Sequence, residues 1–440
     1  MISNPIDVLW GHRNRHGPTF RYSFGGVRDA VVSSDPEIAR HILKTNHGNY
    51  HKSPIQTSIM CEFLGEGLLT DRWEKWRPKR QRLARAFHTH ALDQLAPTLE
   101  AALDEALDSL ESRAVRGSVG LKDEVTLITF AMTARSFFGI SFPLSDIARL
   151  SALIRSIQGF MTKLVVMPFL RPWWWVTGEL ARHHSDRGRG DGLLLALIKA
   201  RMAAGPAAPG APGSDLLDIL LDMADPATPE EVRLTVTQVL AEAMQILVAG
   251  HETSSNAFTW LMLLLDANPE ARATVATEFA DLPHSRLPVF SDLAKLPRTK
   301  AIVEESLRLW PPFWMVDRLA LADDEIAGVP IRRGTTVILF LYGLHRDPAL
   351  WPAAESFCAD RFDDGLWQHR DFLHLPFGGG PRRCIGVNYA KLQIITLLYR
   401  FLDRFSIEFV EGNTPGIDPK FILSPKGPVP VRIRRYTVPS

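Results

Sequence analysis

Cys384 follows a glycine-rich turn and precedes a helix, so its residue type and position suit it to act as an anion. It lies in the run PFGGGPRRCIG at 376–386, and a helix is expected from Val387. A thiolate there faces the positive end of that helix and nearby backbone N–H groups. Gly378, Gly379 and Gly380 place no Cβ in the way of a large planar ligand. The plainer alternative is a free cysteine buried in a tight turn. Glu252 and Thr253 stand side by side, just after Ala249 and Gly250, midway along a long helical stretch. An acid next to an alcohol can pass protons, although a mid-helix threonine also turns its hydroxyl onto its own helix's carbonyls. Glu305 and Arg308 lie three apart on one helix face, where opposite charges pair. Trp76 and Arg80, one turn apart, share a face of a basic helix, with Trp73 and Arg77 as the competing register. His251, His345 and His374 do not stand in H-x-E or H-x-x-x-H spacing, so they read as structural or surface residues rather than metal ligands.

The elements that must position these residues are mostly helices. Residues 19–33 read as a β-hairpin around Gly25-Gly26. Asp35-Pro36 supplies an N-cap and a first-turn proline for a short helix to about Lys44. From about 76 to 280 the pattern is helical, broken by PFLRPWWW at 168–175 and by the Pro- and Gly-rich loop GPAAPGAPGS at 205–214. Thr228-Pro229-Glu230-Glu231 has the form of a capping box, and with no further proline until Pro269 it predicts a helix of about 35 residues, roughly 50 Å long. Short strands are expected at Val329–Ile331, Thr335–Phe340, Ser406–Val410 and Val429–Arg434, with an irregular stretch over 344–383.

Composition narrows the class. The 440 residues are 46% apolar and 22% charged, which permits a large core and excludes general disorder. Fifty Lys plus Arg against forty-nine Asp plus Glu leave +1, which gives no bulk case for nucleic acid or an anionic membrane. Cys61, Cys358 and Cys384 are too few for a disulfide framework, which points to the cytoplasm. The N-terminal segment has no apolar run longer than three residues, too short for a signal-peptide core, and the apolar runs elsewhere, such as 258–265, are too short for a membrane span, so a soluble protein is expected.

Phe377, Gly380, Arg382, Cys384 and Gly386 fit F-x-x-G-x-R-x-C-x-G, which resembles the haem-ligating loop of the cytochrome P450 family. Further motifs occur in family order. Glu305-Ser306-Leu307-Arg308 before Pro311-Pro312 resembles the family's structural ion pair, completed by Arg361 of Arg361-Phe362. Ala359 stands where that segment usually has proline. Ala249-Gly250-His251-Glu252-Thr253 resembles the oxygen-activation motif, in which Thr253 holds the hydrogen-bond chain and Glu252 relays protons. Trp76 and Arg80 are similar to the pair that grips one haem propionate, and Arg318, with Arg382, to the group that reaches the other.

The resemblance spans about 20 to 435. It implies one domain over 1–440 with the cytochrome P450 fold: mainly α, α+β, a triangular helix-rich prism with small β-sheets. It also implies haem b (iron protoporphyrin IX) ligated by Cys384, with Phe377, Gly378, Gly386, Ala249 and Gly250 around it. The expected reaction inserts one atom of O2 into a hydrophobic small molecule by hydroxylation or epoxidation. Pocket candidates are Ser53–Leu64, Gln245, Ile246, Ala249, Phe313, Trp314, Met315, Val316 and Leu423. Ser440 follows Cys384 too closely for a flavin or iron–sulfur domain, so a separate ferredoxin or flavodoxin with its reductase is expected. Lys75, Arg77, Lys79, Arg82, Arg85 and Arg383 would form its docking patch. Neither nucleic acid nor a membrane span is expected, and the protein should be a monomer. A peroxide-using or non-oxidative family member is the alternative reading, and a haem sensor without turnover a more distant one. Trp173-Trp174-Trp175 is expected over the pocket entrance, packed in part or meeting a partner or membrane surface.

Overall fold

The computed structural model describes residues 4–24, 28–139, 142–204, 216–230, 233–283, 286–363, 372–410 and 415–436. Five helices carry the site: α1 (Trp73–Leu83), α2 (Leu121–Phe138), α3 (Val236–Ala267), α4 (Pro297–Leu309) and α5 (Val387–Arg404). The 32 residues of α3 span about 48 Å at 1.5 Å per residue. Its buried residues lie on nearly every side, which is the pattern of a helix threaded through a core. The α2 helix is buried in the same way and packs along α3, while α5 packs on α3 from another side. One hydrophobic cluster joins residues from Leu64 to Ile433, so these helices share a core.

The predicted start of the long helix is wrong. Helix α3 begins at Val236, capped by Thr235, whose hydroxyl accepts from Gln238 N–H at 3.2 Å while Gln238 Oε1 accepts from Thr235 N–H at 2.9 Å. Thr228 is used elsewhere: its hydroxyl donates to Asp222 O at 2.7 Å, and the Arg233 guanidinium holds its carbonyl. Leu234 N–H donates to Met223 O, which turns the chain back just before the second capping box. Tertiary contacts therefore chose between two local caps of equal quality.

Strands Thr19–Phe24 and Arg28–Ser33 form the hairpin, with Thr19 opposite Ser33. The expected turn at Gly25-Gly26 and the loop at 205–214 lie outside the described residues. Arg28–Ser33 pairs in parallel with Thr336–Leu339, which pairs antiparallel with Val316–Ala320, and Tyr50–His51 forms the edge. This sheet holds Arg318 opposite Val337. A second sheet joins Val119–Gly120, Pro430–Arg435 and Phe405–Phe409. Helix content and small sheets agree with the expected mainly α, α+β class.

The segment 168–176, read as a break, is a short 3-10 turn and a six-residue helix, Arg171–Val176. Trp174 is buried against Phe160, whereas Trp173 and Trp175 are exposed, so the three tryptophans divide between packing and solvent. Among the described residues, no single helix is long and apolar enough to cross a membrane.

Candidate functional site around Cys384

The cysteine loop is held by its own backbone. Gly378 N–H donates to Leu375 O at 2.9 Å, Arg383 N–H to Gly380 O at 3.1 Å, and Cys384 N–H to Phe377 O at 2.9 Å. His345 fixes the approach to the loop, since its Nε2 accepts from Leu375 N–H at 2.9 Å. Gly380 has φ +65°, and a Cβ there would lie 1.7 Å from Leu43 O, so the chain itself demands this glycine. Gly378, also at positive φ, faces open space and fits the expectation of clearance for a ligand better.

Cys384 is surrounded by protein yet its surface is exposed, as on the wall of an internal cleft. Burial pushes its thiol up, against the Gly386 N–H and the charges of Arg80 and Arg383. The helix end and the neighbouring cations thus favour the anion, in the direction expected, but burial outweighs them. A coordinated cation reverses that balance by deprotonating a thiol outright. Ala249 is likewise exposed, although it sits in the middle of α3 between buried Val248 and buried His251.

Cations gather beside the loop. Trp76 is buried, with the Arg382 guanidinium 4.5 Å from its ring centre and that of Arg80 at 5.4 Å. Arg80 donates to Arg383 O at 2.7 Å, whereas Arg77 is exposed; both Trp76 and Trp73 meet the loop through Arg382, which lies 5.4 Å from the Trp73 ring centre. Arg382 donates to Asp71 O at 3.2 Å. Arg318 is buried and donates to Asp317 O at 2.7 Å, while the Asp317 carboxylate is taken by Ser53 and Gln56. Lys52 is buried against the carbonyls of Leu68 and Leu69. Among the described residues none of Lys52, Arg80, Arg318 and Arg382 forms a salt bridge. Burial, followed by the repulsion of Arg318, pushes Arg382 down to about 10. Burial also lowers Arg80 and Arg318, and burial with the charges of Arg382 and Arg318 lowers Lys52. Such a cluster is costly unless anions meet it. An exposed thiol beside several unpaired guanidinium groups fits a haem with two carboxylate arms, because guanidinium matches carboxylate through paired hydrogen bonds.

The residues expected to relay protons lie on α3. Thr253 donates to Ala249 O at 2.6 Å, so its hydroxyl rests on its own helix. Thr133 and Thr129 of α2 donate to the carbonyls of Gly250 and His251 at 3.3 and 2.9 Å, and His251 Nδ1 donates to Leu247 O at 2.6 Å. Consecutive carbonyls at this point of α3 thus take side-chain donors. A Cβ on Gly250 would stand 2.7 Å from Thr133 Cγ2, which ties this glycine to helix packing.

Glu305, Arg308 and Arg361 come together. Arg308 donates to Glu305 at 2.6 and 2.8 Å, and both side chains are wholly buried. Arg361 reaches Glu305 Oε1 at 3.3 Å, and Cys358 N–H donates to the same oxygen at 2.9 Å. With Ala359 in place of proline, this loop is held by these two bonds to Glu305 and also by Arg298, which donates to Asp360 at 2.8 Å.

Ile246 and Met315 are partly buried and Phe313 is exposed, so these pocket candidates present apolar surface. Trp314 and Leu423 correct the pocket assignment. Both are buried in a cluster with Leu9, Phe20 and Val32, and Trp314 Nε1 donates to Lys420 O. Gln245 is also committed elsewhere: it accepts from Leu69 N–H at 2.9 Å and donates to Gly65 O at 2.8 Å, pinning that loop to α3. Lys79 leaves the docking patch, because it is buried between Asp71 and Glu242, each at 2.6 Å. Burial opposes its charge, but the two carboxylates raise it overall. The burial of Lys79 was missed in the sequence, although its spacing from Trp76 and Leu83 placed it on the buried stripe.

Relatives and solved structures identify the family and the fold. A profile described as Cytochrome P450 matches residues 3–431. The chain is 32% identical to Cytochrome P450 734A5 of Oryza sativa subsp. japonica, over 97% of this chain and 80% of that protein. It is 27% identical to the chloroplastic carotene epsilon-monooxygenase of Arabidopsis thaliana, over 92% and 77%. The crystal structure of the cytochrome P450DA heme domain superposes with a TM-score of 0.84, covering 98% of this chain and 93% of that one at 22% identity. The chain belongs to the cytochrome P450 family of haem-thiolate monooxygenases and is an oxidoreductase with a haem cofactor.

Proposed function

We propose that the protein inserts one atom of O2 into an apolar small molecule, with haem b held by Cys384 and electrons from a separate ferredoxin or flavodoxin. The observation that carries this reading is the exposed thiol of Cys384 beside Arg80, Arg318 and Arg382, none of them salt-bridged to a carboxylate within the described residues. Those three side chains would hold the propionates, and Phe377, Gly378, Gly386, Ala249 and Gly250 would lie against the ring. Bound there, the haem supplies activation of dioxygen, with the thiolate favouring O–O cleavage.

The chain's own residues do the rest. Glu252 carries protons inward from solvent. Thr253 holds the inner end of the chain: its oxygen keeps lone pairs to accept a bond while its hydrogen lies on Ala249 O, and a turn about χ1 aims that hydrogen outward. Ile246, Ala249, Phe313 and Met315 keep the substrate side dry, which fits a hydrocarbon-like molecule. A relative named for carotene supports an isoprenoid or similar apolar substrate. Three unpaired cysteines support a cytoplasmic location. The shared core from Leu64 to Ile433 supports one working unit over 1–440.

Cys384→Ser tests the ligand. The variant should fold but lose the thiolate absorption of the reduced carbon monoxide complex; survival of that band would place the ligand elsewhere. Apolar ligands that shift the Soret band by displacing water should include terpenoids, and a panel in which only polar ligands act would overturn the substrate class. Product formed with reductase and ferredoxin, but not with peroxide alone, separates the proposal from a peroxide-using enzyme.

A further inference from the structure

Leu150, Ile154 and Gln158 stand four residues apart on the helix Leu144–Val166, so they share one face. That face lines a narrow cavity, closed on the other sides by Met244 and Val248 of α3, by the helix Glu179–Ala204 and by Phe63 from the segment before α1. Gly190 lets the helices meet there, because a Cβ on it would stand 3.2 Å from Leu150 Cδ1 and 3.6 Å from Met244 Cε. The cavity adjoins the candidate site, since the residue after Val248 is the exposed Ala249.

Gln158 differs from its apolar neighbours in this lining. It is 8% exposed, and its side-chain amide has no hydrogen-bond partner among the described residues; the bond that Thr162 donates at 3.0 Å goes to its main-chain carbonyl. A buried amide is costly where nothing meets it. The charged groups of the cavity are already matched: Arg187 donates to Asp191 at 3.2 Å and also to Glu62 O, and Asp186 pairs with Arg189. An entering carboxylate would meet Asp186 and Asp191, and an entering ammonium would meet Arg187. The cavity therefore suits a polar group without charge.

We infer that it takes an oxygenated end of the substrate, a hydroxyl or a keto group, and that Gln158 is the specificity-determining residue that bonds this oxygen. The hydrocarbon body then runs past Val248 towards Ala249 and Cys384. The inference rests on the proposed function and narrows its substrate class to an apolar skeleton with one neutral polar end. The amide offers two donors and an acceptor, so it can serve an alcohol through both roles and a ketone through its NH2 alone. A hydrocarbon end would leave the amide unmet, which is how a site built to bond an oxygen rejects the analogue that lacks it. One neutral hydrogen bond corresponds to roughly two- to tenfold in affinity.

The test titrates the haem-loaded protein with farnesene and with farnesol, which share a skeleton and differ in a terminal hydroxyl, and reads the dissociation constants from the Soret shift. Wild type should bind farnesol several-fold more tightly than farnesene. Gln158→Met, which keeps the length of the side chain, should remove that preference while leaving farnesene affinity, haem content and melting temperature in place. Gln158→Leu should do the same and provides a second variant if the first folds poorly. A crystal structure with farnesol should place its hydroxyl within hydrogen-bond distance of the Gln158 amide. Equal affinities in wild type, or a loss of both ligands alike in the variants, would overturn the inference and leave the proposed function standing. A crystal in which Gln158 holds only water while the hydroxyl lies elsewhere would also overturn it. If neither ligand shifts the Soret band, the apolar substrate class falls as well.

Discussion

Replacing Arg308 with alanine would remove five hydrogen bonds from a side chain that is wholly buried. Two go to Glu305, and the others to the carbonyls of His345 (2.6 Å), Ala354 (2.7 Å) and Ser356 (3.1 Å). Breaking a buried pair by deleting one partner costs about 3–5 kcal/mol, because the remaining charge is left in a dry site. Here Arg361 and Cys358 N–H still reach Glu305, which reduces that cost, while three carbonyls lose a donor, which increases it. The effects overlap, so the expected total stays at about 3–5 kcal/mol, set against a whole stability of about 5–15 kcal/mol. Arg361→Ala should cost less, since that side chain is 12% exposed and reaches Glu305 at the longer distance of 3.3 Å. Urea unfolding followed by haem absorbance would give both values, and a cycle with Glu305→Ala would give the coupling. Haem content should fall with stability, while turnover per bound haem stays the same. Arg308→Ala protein that unfolds within about 1 kcal/mol of wild type, with full haem and altered products, would refute the assignment of Arg308 to the scaffold.

Thr253→Ala should uncouple electron use from product while leaving substrate affinity in place, checked by the ratio of product to peroxide. Arg77→Glu with Arg85→Glu should slow reduction by an acidic ferredoxin, as should added salt, because the Debye length falls from about 10 Å at 0.1 M to about 3 Å at 1 M. Stopped-flow rates that respond to neither would exclude that helix as the docking face. Lys79→Glu should instead destabilise the fold, because it would set three carboxyl groups together at Asp71 and Glu242. Burial pushes the imidazoles of His251, His345 and His374 down, His374 to about 3, whereas an unfolded histidine titrates at about 6.5. The unfolded chain then binds more protons below about pH 6.5, so stability present above that pH should drain away on acidification, by up to about 1.4 kcal/mol per pH unit for each histidine. Equal urea midpoints at pH 8 and pH 5 would contradict this.

What could be read in the sequence was local. The cysteine loop and the Glu305–Arg308 pair declare themselves in a few adjacent residues, because turn geometry and helix periodicity act over that range. The start of α3 did not, since Thr228 and Thr235 each offer a capping box, and the bonds of Thr228 to Asp222, Arg233 to Thr228 and Leu234 to Met223 favour the second. Lys79 was misread for a related reason. A run of lysines and arginines describes a solvated face unless acids from elsewhere approach it, and Glu242 comes from a helix far along the chain. Trp314 and Leu423 show the same limit: their type suits a pocket, but the cluster built on the N-terminal hairpin covers them.

A net charge of +1 conceals how unevenly the charges are spent. Other buried ions are matched: Lys79 by Asp71 and Glu242, Arg308 by Glu305, Glu304 by Lys391. Beside the loop, Lys52, Arg80, Arg318 and Arg382 are held by carbonyl oxygens and aromatic faces, which offset burial less well than a carboxylate does. A chain able to pair buried charges elsewhere but leaving four cations together keeps their electrostatic demand for a ligand. Two carboxylates on one planar molecule would answer it at a single place and fix the orientation of that molecule over Cys384. The same demand makes stability and ligand binding one equilibrium, since whatever binds only the folded chain stabilises it by mass action. On the proposed reading, specific placement of the haem would rest less on the thiol, which any soft metal could meet, than on the guanidinium groups around it.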